Sequence, residues 1–350
     1  MENKNFFKIN IIYFISILSV AVIFAMGYFG LIRNEFVSTF AIQIMTMFAV
    51  PVLLYTLLVS KSGKKTFKDF GFRKISIKVI FISIFLGFIL YILNLFVSSF
   101  FYGILDSFGY DTLSGTSNVK LTYGFLLKEF TLSALLPGFC EEVLHRGLML
   151  NAGRKSGNSR FCLIISSLLF GLIHLNIGQF FYASILGLFI GYLSLVTNSI
   201  YPSMIVHFMN NGLSIYFSYA KHLKWPFANL IDNLFLFINS NLIFSIIGMS
   251  SLIFLILWLY HTLTKHLAKQ RIKDDVRRAV KSLNLETLPP EQAQEKINKA
   301  NQILIYCNSN KFNFKLSHKT KFKFSEKIFL YSSILLGALI TISSFIWGIM

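Results

Sequence analysis

Long apolar segments constrain this chain more than any other feature of its sequence. A helix needs roughly 20 apolar residues to span the hydrocarbon core of a bilayer, and segments of about this length recur through the 350 residues. The pattern predicts an all-α, polytopic membrane protein with about nine transmembrane helices. These segments lie at about 9–32, 36–60, 79–104, 125–150, 161–176, 178–197, 200–219, 236–262 and 328–349.

The overall composition agrees with an integral membrane protein. Hydrophobic residues make up 55% of the chain and charged residues 14%, whereas a soluble domain has about 45–50% and about 25% respectively. A chain this apolar is not intrinsically disordered, because disorder requires low hydrophobicity. Three cysteines in 350 residues are too few for a disulfide framework.

The net charge of +18 comes from 33 Lys and Arg against 15 Asp and Glu. Most of the basic residues lie in alternate connections between the apolar segments, and such connections are normally cytoplasmic. This charge pattern predicts a cytoplasmic N-terminus and a C-terminus outside, with Lys64 and Arg278 on the cytoplasmic side and Asp111 and Met350 outside. We therefore expect the lipid bilayer to be the charged partner, and we expect no nucleic acid.

Three of the predicted spans contain polar and ionisable side chains, which are costly in a membrane and usually mark function. Positions four apart share one face of a helix, so Glu142 and Arg146 are expected to pair. Glu141 lies about 100° away around the same helix and is left free. The residues are Glu141, Glu142 and Arg146 in the fourth span, His174 in the fifth, and His207 and Asn211 in the seventh.

The depths of these residues predict that they meet. Measured from the cytoplasmic flank of each helix at 1.5 Å per residue, Glu141, His174 and Asn211 all lie about 20 Å deep, with His207 one turn shallower. The cluster is therefore expected to converge on one buried point. The alternative is a purely structural arrangement, in which a buried ion pair and two histidines bond between helices.

Such a cluster suits the activation of a water molecule. A carboxylate or imidazole removes the proton, and nearby donors stabilise the oxyanion that forms on the attacked carbonyl group. Glu141 and His174 suit the first task, and His207 and Asn211 suit the second. A carboxylate with two histidines is equally a zinc site of the hydrolytic kind, with Glu141, His174 and His207 as ligands. Spacing alone leaves both mechanisms open.

These motifs resemble those of the CPBP family of intramembrane proteases. The shared patterns are Glu-Glu-x-x-x-Arg (141–146), Phe-x-x-x-His (170–174) and His-x-x-x-Asn (207–211), in this order. The family includes the CAAX prenyl endopeptidases and the bacterial Abi or bacteriocin-immunity proteins. The resemblance covers roughly residues 123–220. One departure is His145, where the family usually has an aromatic residue before the arginine.

The resemblance implies an intramembrane endopeptidase that acts on a membrane-associated peptide or protein. Glu141 and His174 would activate the water, His207 and Asn211 would hold the oxyanion, and Glu142 with Arg146 would brace the site. Members are commonly labelled metalloproteases, while other family evidence favours a metal-free glutamate mechanism, so zinc is one of two alternatives. The other functional class is a non-catalytic bacteriocin-immunity or scaffold protein that sequesters a partner.

The abundance of Phe, Ile, Lys and Asn is typical of AT-rich Gram-positive genomes and predicts a bacterial plasma membrane. Peptide pheromones, bacteriocin precursors or membrane-protein tails are then more plausible substrates than prenylated proteins.

The basic segment 265–327 is one of five predicted parts of the chain. Segment 265–327 is rich in Lys, Gln and Asn and contains Pro289-Pro290, a typical helix start. It is expected to be a solvated cytoplasmic loop on anionic head groups, with a regulatory or docking insert as the alternative. The parts are N-terminal transmembrane helices (1–122), a CPBP-type protease core (123–222), a further transmembrane helix (223–264), the basic cytoplasmic segment (265–327) and a C-terminal transmembrane helix (328–350).

Overall fold

The computed structural model describes residues 2–110, 122–240, 242–283, 288–309, 311–317 and 321–349, which form helices and no strand. The predicted all-α fold is thus confirmed for these residues. Short 3₁₀ turns occur at Gly153–Ser156 and Ser325–Lys327. The helices are α1 (Glu2–Tyr28), α2 (Glu35–Ser60), α3 (Gly63–Phe70), α4 (Ile77–Ser107), α5 (123–152), α6 (Ser159–Leu172), α7 (Ile177–Thr197), α8 (Tyr201–Leu223), α9 (Leu230–Ser240), α10 (Leu242–Ser282), α11 (Pro290–Asn308) and α12 (Ile328–Ile349).

Six helices of the described residues are long and apolar enough to cross a membrane, namely α1, α2, α4, α7, α10 and α12. The protein is therefore a multi-pass membrane protein. The other three predicted spans correspond to α5, α6 and α8. Helix α6 has only 14 residues, and α5 and α8 contain the polar stretches noted above, which lower their hydropathy. Nine crossings remain a prediction.

Helices α1 and α12 run side by side in the same direction. Near their starts, the rings of Phe7 and Phe329 lie 5.6 Å apart. Near their ends, Tyr28 stacks on Trp347 at 5.7 Å. Because parallel helices begin on one side of a bundle and end on the other, this arrangement agrees with termini on opposite sides. The orientation relative to the cytoplasm stays a prediction, and Asp111 and Met350 lie outside the described residues.

The basic connections gather at one end of the bundle. The Lys8 ammonium donates to the carbonyl oxygen of Leu58 (2.9 Å), and Lys155 pairs with Asp69. Nearby, Arg73 donates to the side-chain oxygen of Asn198 (2.7 Å). Connections that the charge pattern assigned to one side of the membrane therefore meet in space. We call this end of the molecule the basic end.

The basic segment 265–327 is folded against this end. Helix α10 continues without a break past the predicted boundary at 264 and ends at Ser282. Helix α11 begins at Pro290, as the Pro-Pro sequence predicts. Cys307 is buried with residues of α4 and α7, and Phe322 stacks on Phe6 with ring centroids 3.9 Å apart. A few apolar side chains of this segment thus pack on the core helices, while most of its other described residues are exposed. Its predicted place on anionic head groups stays a prediction.

Candidate active site

Helices α2 and α5 form one wall of the candidate site, and both contain wider π-helical turns. The turns at Ala41–Ala49 and Phe130–Leu135 lie just before Pro51 and Pro137. A proline inside a helix lacks the N–H donor and its ring crowds the carbonyl group four residues earlier, and π turns often occur at functional sites. Residues 140–153 are buried throughout. The site residues of α5 thus lie in a fully buried stretch of the helix.

Glu141 is held by a residue of α2. The Gln43 side-chain amide donates a 2.8 Å hydrogen bond to Glu141 Oε1. Glu141 is only 4% exposed, and its Oε2 is a buried oxygen without a hydrogen-bond partner in the structure. One carboxylate oxygen is therefore fixed, and the other is left available for a small polar molecule.

Glu142 is bonded to two side chains through the same oxygen. Arg146 Nη1 lies 2.8 Å from Glu142 Oε1, which is the ion pair expected from the four-residue spacing. His207 Nδ1 lies 2.9 Å from the same atom, so α8 is joined to α5 here. Arg146 also donates to the carbonyl oxygen of Gly187 (3.2 Å). The Glu142 carboxylate thus lies between the Arg146 guanidinium and the His207 imidazole. These bonds compensate for the loss of water around the three buried side chains.

Phe170 lies at the centre of the cluster. The Arg146 guanidinium stands over its ring at 4.2 Å, which is a favourable cation–π geometry. The imidazole rings of His174 and His207 meet it edge-on, with centroids 5.5 Å and 5.3 Å away. Phe170 thus separates and orients the two histidines.

His174 lies just beyond the end of α6, in the turn that leads to α7. The turn contains Leu175 in the left-handed conformation (φ 53°), and the Asn176 side chain caps α7 by accepting from Gln179 N–H (3.2 Å). His174 is half-buried, and like His207 it contacts the ring of Phe170. Because His207 bonds Glu142, the residue after Glu141, predicted site residues of α5, α8 and the α6–α7 turn lie near one another.

Asn211 lies one helical turn after His207 in α8. Its side-chain amide donates to the carbonyl oxygen of Ser133 in α5 (2.9 Å), and its Oδ1 accepts from the Asn210 amide (3.1 Å). Asn210 is the more deeply buried of the two, at 4% exposure, and its Oδ1 has no partner. One N–H of Asn211 is thus engaged with the backbone, and one remains for another acceptor.

His145 is fully buried between two other groups. Its Nδ1 lies 2.9 Å from the carbonyl oxygen of Glu141, and its Nε2 lies 3.1 Å from the hydroxyl group of Tyr13. A carbonyl oxygen only accepts, so Nδ1 carries a proton. His145 therefore ties α1 to the backbone beneath Glu141 and does not act on the carboxylate directly.

The zinc alternative can be tested against these contacts. Among the described residues, no three His, Cys, Asp or Glu side chains are grouped so that they could hold a metal ion. His207 uses Nδ1 for Glu142, and Glu141 uses Oε1 for Gln43. These bonds leave Nε2 of His207 and Oε2 of Glu141 without a partner in the structure, so zinc dependence stays a prediction.

The sequence patterns missed three residues of this site, namely Gln43, Tyr13 and Asn210. Gln43 is a polar residue inside an apolar segment, so the rule that singled out Glu141 would also have found it. The buried hydroxyl group of Tyr13 leaves no such signal, because tyrosine is common in membrane helices. Asn210 was passed over because Asn211, not Asn210, lies four residues after His207.

The fold and the cluster together define a multi-pass membrane protein with a buried glutamate–histidine site. Residues 123–213 match the family described as type II CAAX prenyl endopeptidase Rce1-like. This range contains all six predicted site residues and is consistent with the CPBP family, so the resemblance is confirmed over this part of the chain. Neither curated proteins nor solved structures provided a match.

Proposed function

We propose that the protein is an intramembrane endopeptidase that hydrolyses a peptide bond of a membrane-associated peptide or protein. The observation that supports it most is the state of Glu141, whose Oε1 is fixed by Gln43 while its buried Oε2 has no partner. The neighbouring Glu142 also has a buried Oε2 without a partner, but its charge is already paired with Arg146 and bonded by His207. Glu141, which has no paired cation among the described residues, is therefore the proposed base.

In this mechanism the Glu141 carboxylate, assisted by His174, removes a proton from a water molecule. The resulting hydroxide adds to the carbonyl carbon of the scissile bond, and negative charge develops on the carbonyl oxygen. The same proton is then delivered to the leaving nitrogen, and the C–N bond breaks to give a carboxylic acid and an amine. The resemblance to the CPBP family motivates these roles.

His207 and Asn211 are the proposed oxyanion donors. Because Nδ1 of His207 faces Glu142, its donor to the oxyanion would be Nε2. Asn211 would contribute the amide hydrogen that Ser133 does not accept. Glu142 and Arg146 then act as positioning residues.

Replacing Glu141 with Gln tests the proposal. Glutamine keeps an oxygen for Gln43 to bond but cannot take up a proton, so we expect at least ~100-fold loss of cleavage with unchanged expression and thermal stability. Because the substrate is unidentified, the readout is the set of new peptide termini in membranes of cells that express each form. Wild-type termini in the Glu141→Gln cells would favour the partner-sequestering scaffold.

A chelator then separates the two mechanisms in purified proteoliposomes. The metal-free mechanism predicts that cleavage of a peptide identified in this way is indifferent to the chelator. Loss of activity that added zinc restores would contradict the metal-free mechanism while leaving the endopeptidase assignment intact. The bacterial plasma membrane remains the proposed location.

A further inference from the structure

A polar cavity of about 290 Å³ lies at the basic end, away from the candidate active site. The start of α4, the end of α7 and the second half of α10 surround it. Apolar side chains of Val79 and Leu267 form part of its wall. Its charged and polar lining includes Lys74, Ser76, Arg271, Asp274 and Arg278.

The lining carries a net positive charge. Three cations, Lys74, Arg271 and Arg278, face one carboxylate, Asp274, so the balance is 3 − 1 = +2. Asp275, beside the cavity, lies 2.7 Å from Arg278 Nη2 and 4.0 Å from Arg271 Nε, whereas Lys74 is exposed. Arg271 donates to the carbonyl oxygen of Leu195 (3.1 Å), and its Nε has no hydrogen-bond acceptor. The Lys74 ammonium and the Nε–H of Arg271 are therefore the donors around the cavity that an anion could use.

Two further arginines lie near the cavity, at the end of α7, and add to its positive charge. Arg73 and Arg154 both donate to the side-chain oxygen of Asn198, at the end of α7. Burial and the neighbouring charges of Arg73 and Arg271 lower the pKa of Arg154 to about 10. Like charges held this close repel one another, so an anion in the adjoining cavity would relieve the repulsion.

The start of α4 adds to the same field. Ser76 is its N-cap residue, and the hydroxyl group makes no hydrogen bond to the N–H groups of the first turn. Such N–H groups and the helix dipole favour negative charge. The helix start therefore adds partial positive charge to that of the cationic side chains.

We propose that this cavity binds one anionic phosphate group, with the head group of an anionic phospholipid as its expected source. The cations would contact the phosphate oxygens, and Val79 and Leu267 would contact the upper part of an acyl chain. A lipid held here joins α4, α7 and α10, and so fixes the basic segment to the core. The same phosphate chemistry is offered by a free phosphate ion, and the experiment separates the two sources.

The test compares two double variants of the full-length protein in detergent, with phosphatidylglycerol as the probe. Lys74→Gln with Arg278→Gln removes two charges at the cavity. Lys64→Gln with Lys296→Gln removes two charges from exposed positions on α3 and α11. Bound lipid is counted by native mass spectrometry during a titration. We expect roughly tenfold weaker binding in the cavity variant alone.

Equal weakening in both variants, or none in the cavity variant, would overturn the proposal. Phosphatidylcholine, whose head group has no net charge, should not compete with the probe, and effective competition by it would also count against an anion site. Inorganic phosphate is the last competitor. If inorganic phosphate does not displace phosphatidylglycerol, the cavity is a phospholipid site. If it displaces the lipid from the wild-type protein but not from the cavity variant, the cavity is a site for a free anion.

Discussion

The two adjacent glutamates face different partners, and this difference is the basis for the separate roles that we propose for them. Glu142 meets Arg146 and His207 at a single oxygen, and all three side chains are almost fully buried. Glu141 meets the neutral amide of Gln43. We therefore propose that Glu141, which has no paired cation in the described part of the chain, is the reactive carboxylate and that Glu142 has a structural role.

We therefore expect Glu142→Ala to damage the fold. Removing one partner of a buried ion pair leaves the other charge uncompensated and costs about 3–5 kcal/mol. The yield of folded protein and its melting temperature in detergent should both fall, and activity should fall with them. A stable, well-expressed Glu142→Ala protein would contradict the structural role.

Gln43 is expected to act as a positioning residue for Glu141. Gln43→Leu removes the donor, so the carboxylate can rotate away from the water and the turnover number should drop roughly tenfold to hundredfold. KM for the peptide should stay near the wild-type value, since Gln43 is not proposed to touch substrate.

Thr46→Val is the matched control for this variant. Thr46 lies in the same π-helical turn, and its hydroxyl group bonds the carbonyl oxygen of Ile42 within its own helix (2.6 Å). Equal losses in both variants would mean that Gln43 supports the helix and does not position the base.

Local spacing predicted the contacts within one helix and missed those between helices. The Glu142–Arg146 pair follows from helical periodicity and is present. The bond from His207 to Glu142 joins residues 65 apart, and that from Gln43 to Glu141 joins residues 98 apart. Such pairings depend on how helices rotate against each other, which periodicity does not determine. The catalytic roles themselves remain predictions.

At the scale of elements, close contact between α6 and α7 holds Phe170 and His174 in the candidate active site. Gly171 allows this approach, since a Cβ atom there would overlap Ser184 Oγ and lie 2.5 Å from the carbonyl oxygen of Phe180. Backbone atoms cannot move aside as a flexible side chain can. Small residues let membrane helices approach closely, and this glycine serves that purpose.

Gly171→Ala should therefore force the two helices apart. Overpacking of this kind costs about 1–3 kcal/mol, so we expect a lower melting temperature and reduced cleavage. Gly103→Ala in α4 is the control, because nothing lies within 4 Å of its added methyl group. Similar behaviour of the two variants would contradict the close-packing argument.

The basic segment shows why composition is a poor guide to an element's position. Its many Lys, Gln and Asn residues favour exposure, yet a few apolar residues decide where it lies. Phe312 is buried against the core, and Ser317 bonds Ser159 at the start of α6 (3.0 Å). The sequence predicted the start of α11 from its prolines and could not predict this docking.

At the scale of the whole molecule, the charge pattern assigns the basic end to the cytoplasm. The three native cysteines are buried, so single cysteines can be introduced and labelled in intact cells with a membrane-impermeant maleimide. We expect Arg33→Cys to be labelled and Arg278→Cys to be protected until the membrane is permeabilised. The reverse result would invert the topology.

The parallel pairing of α1 with α12 has a consequence for how the protein is made. About 300 residues separate the end of α1 at Tyr28 from the start of α12 at Ile328. At usual rates of synthesis, roughly 15–60 s pass between their appearances. During that interval the face of α1 that receives Phe329 and Trp347 must be covered by lipid or by the insertion machinery. Ribosome speed and membrane-insertion factors are therefore expected to influence the yield of this protein.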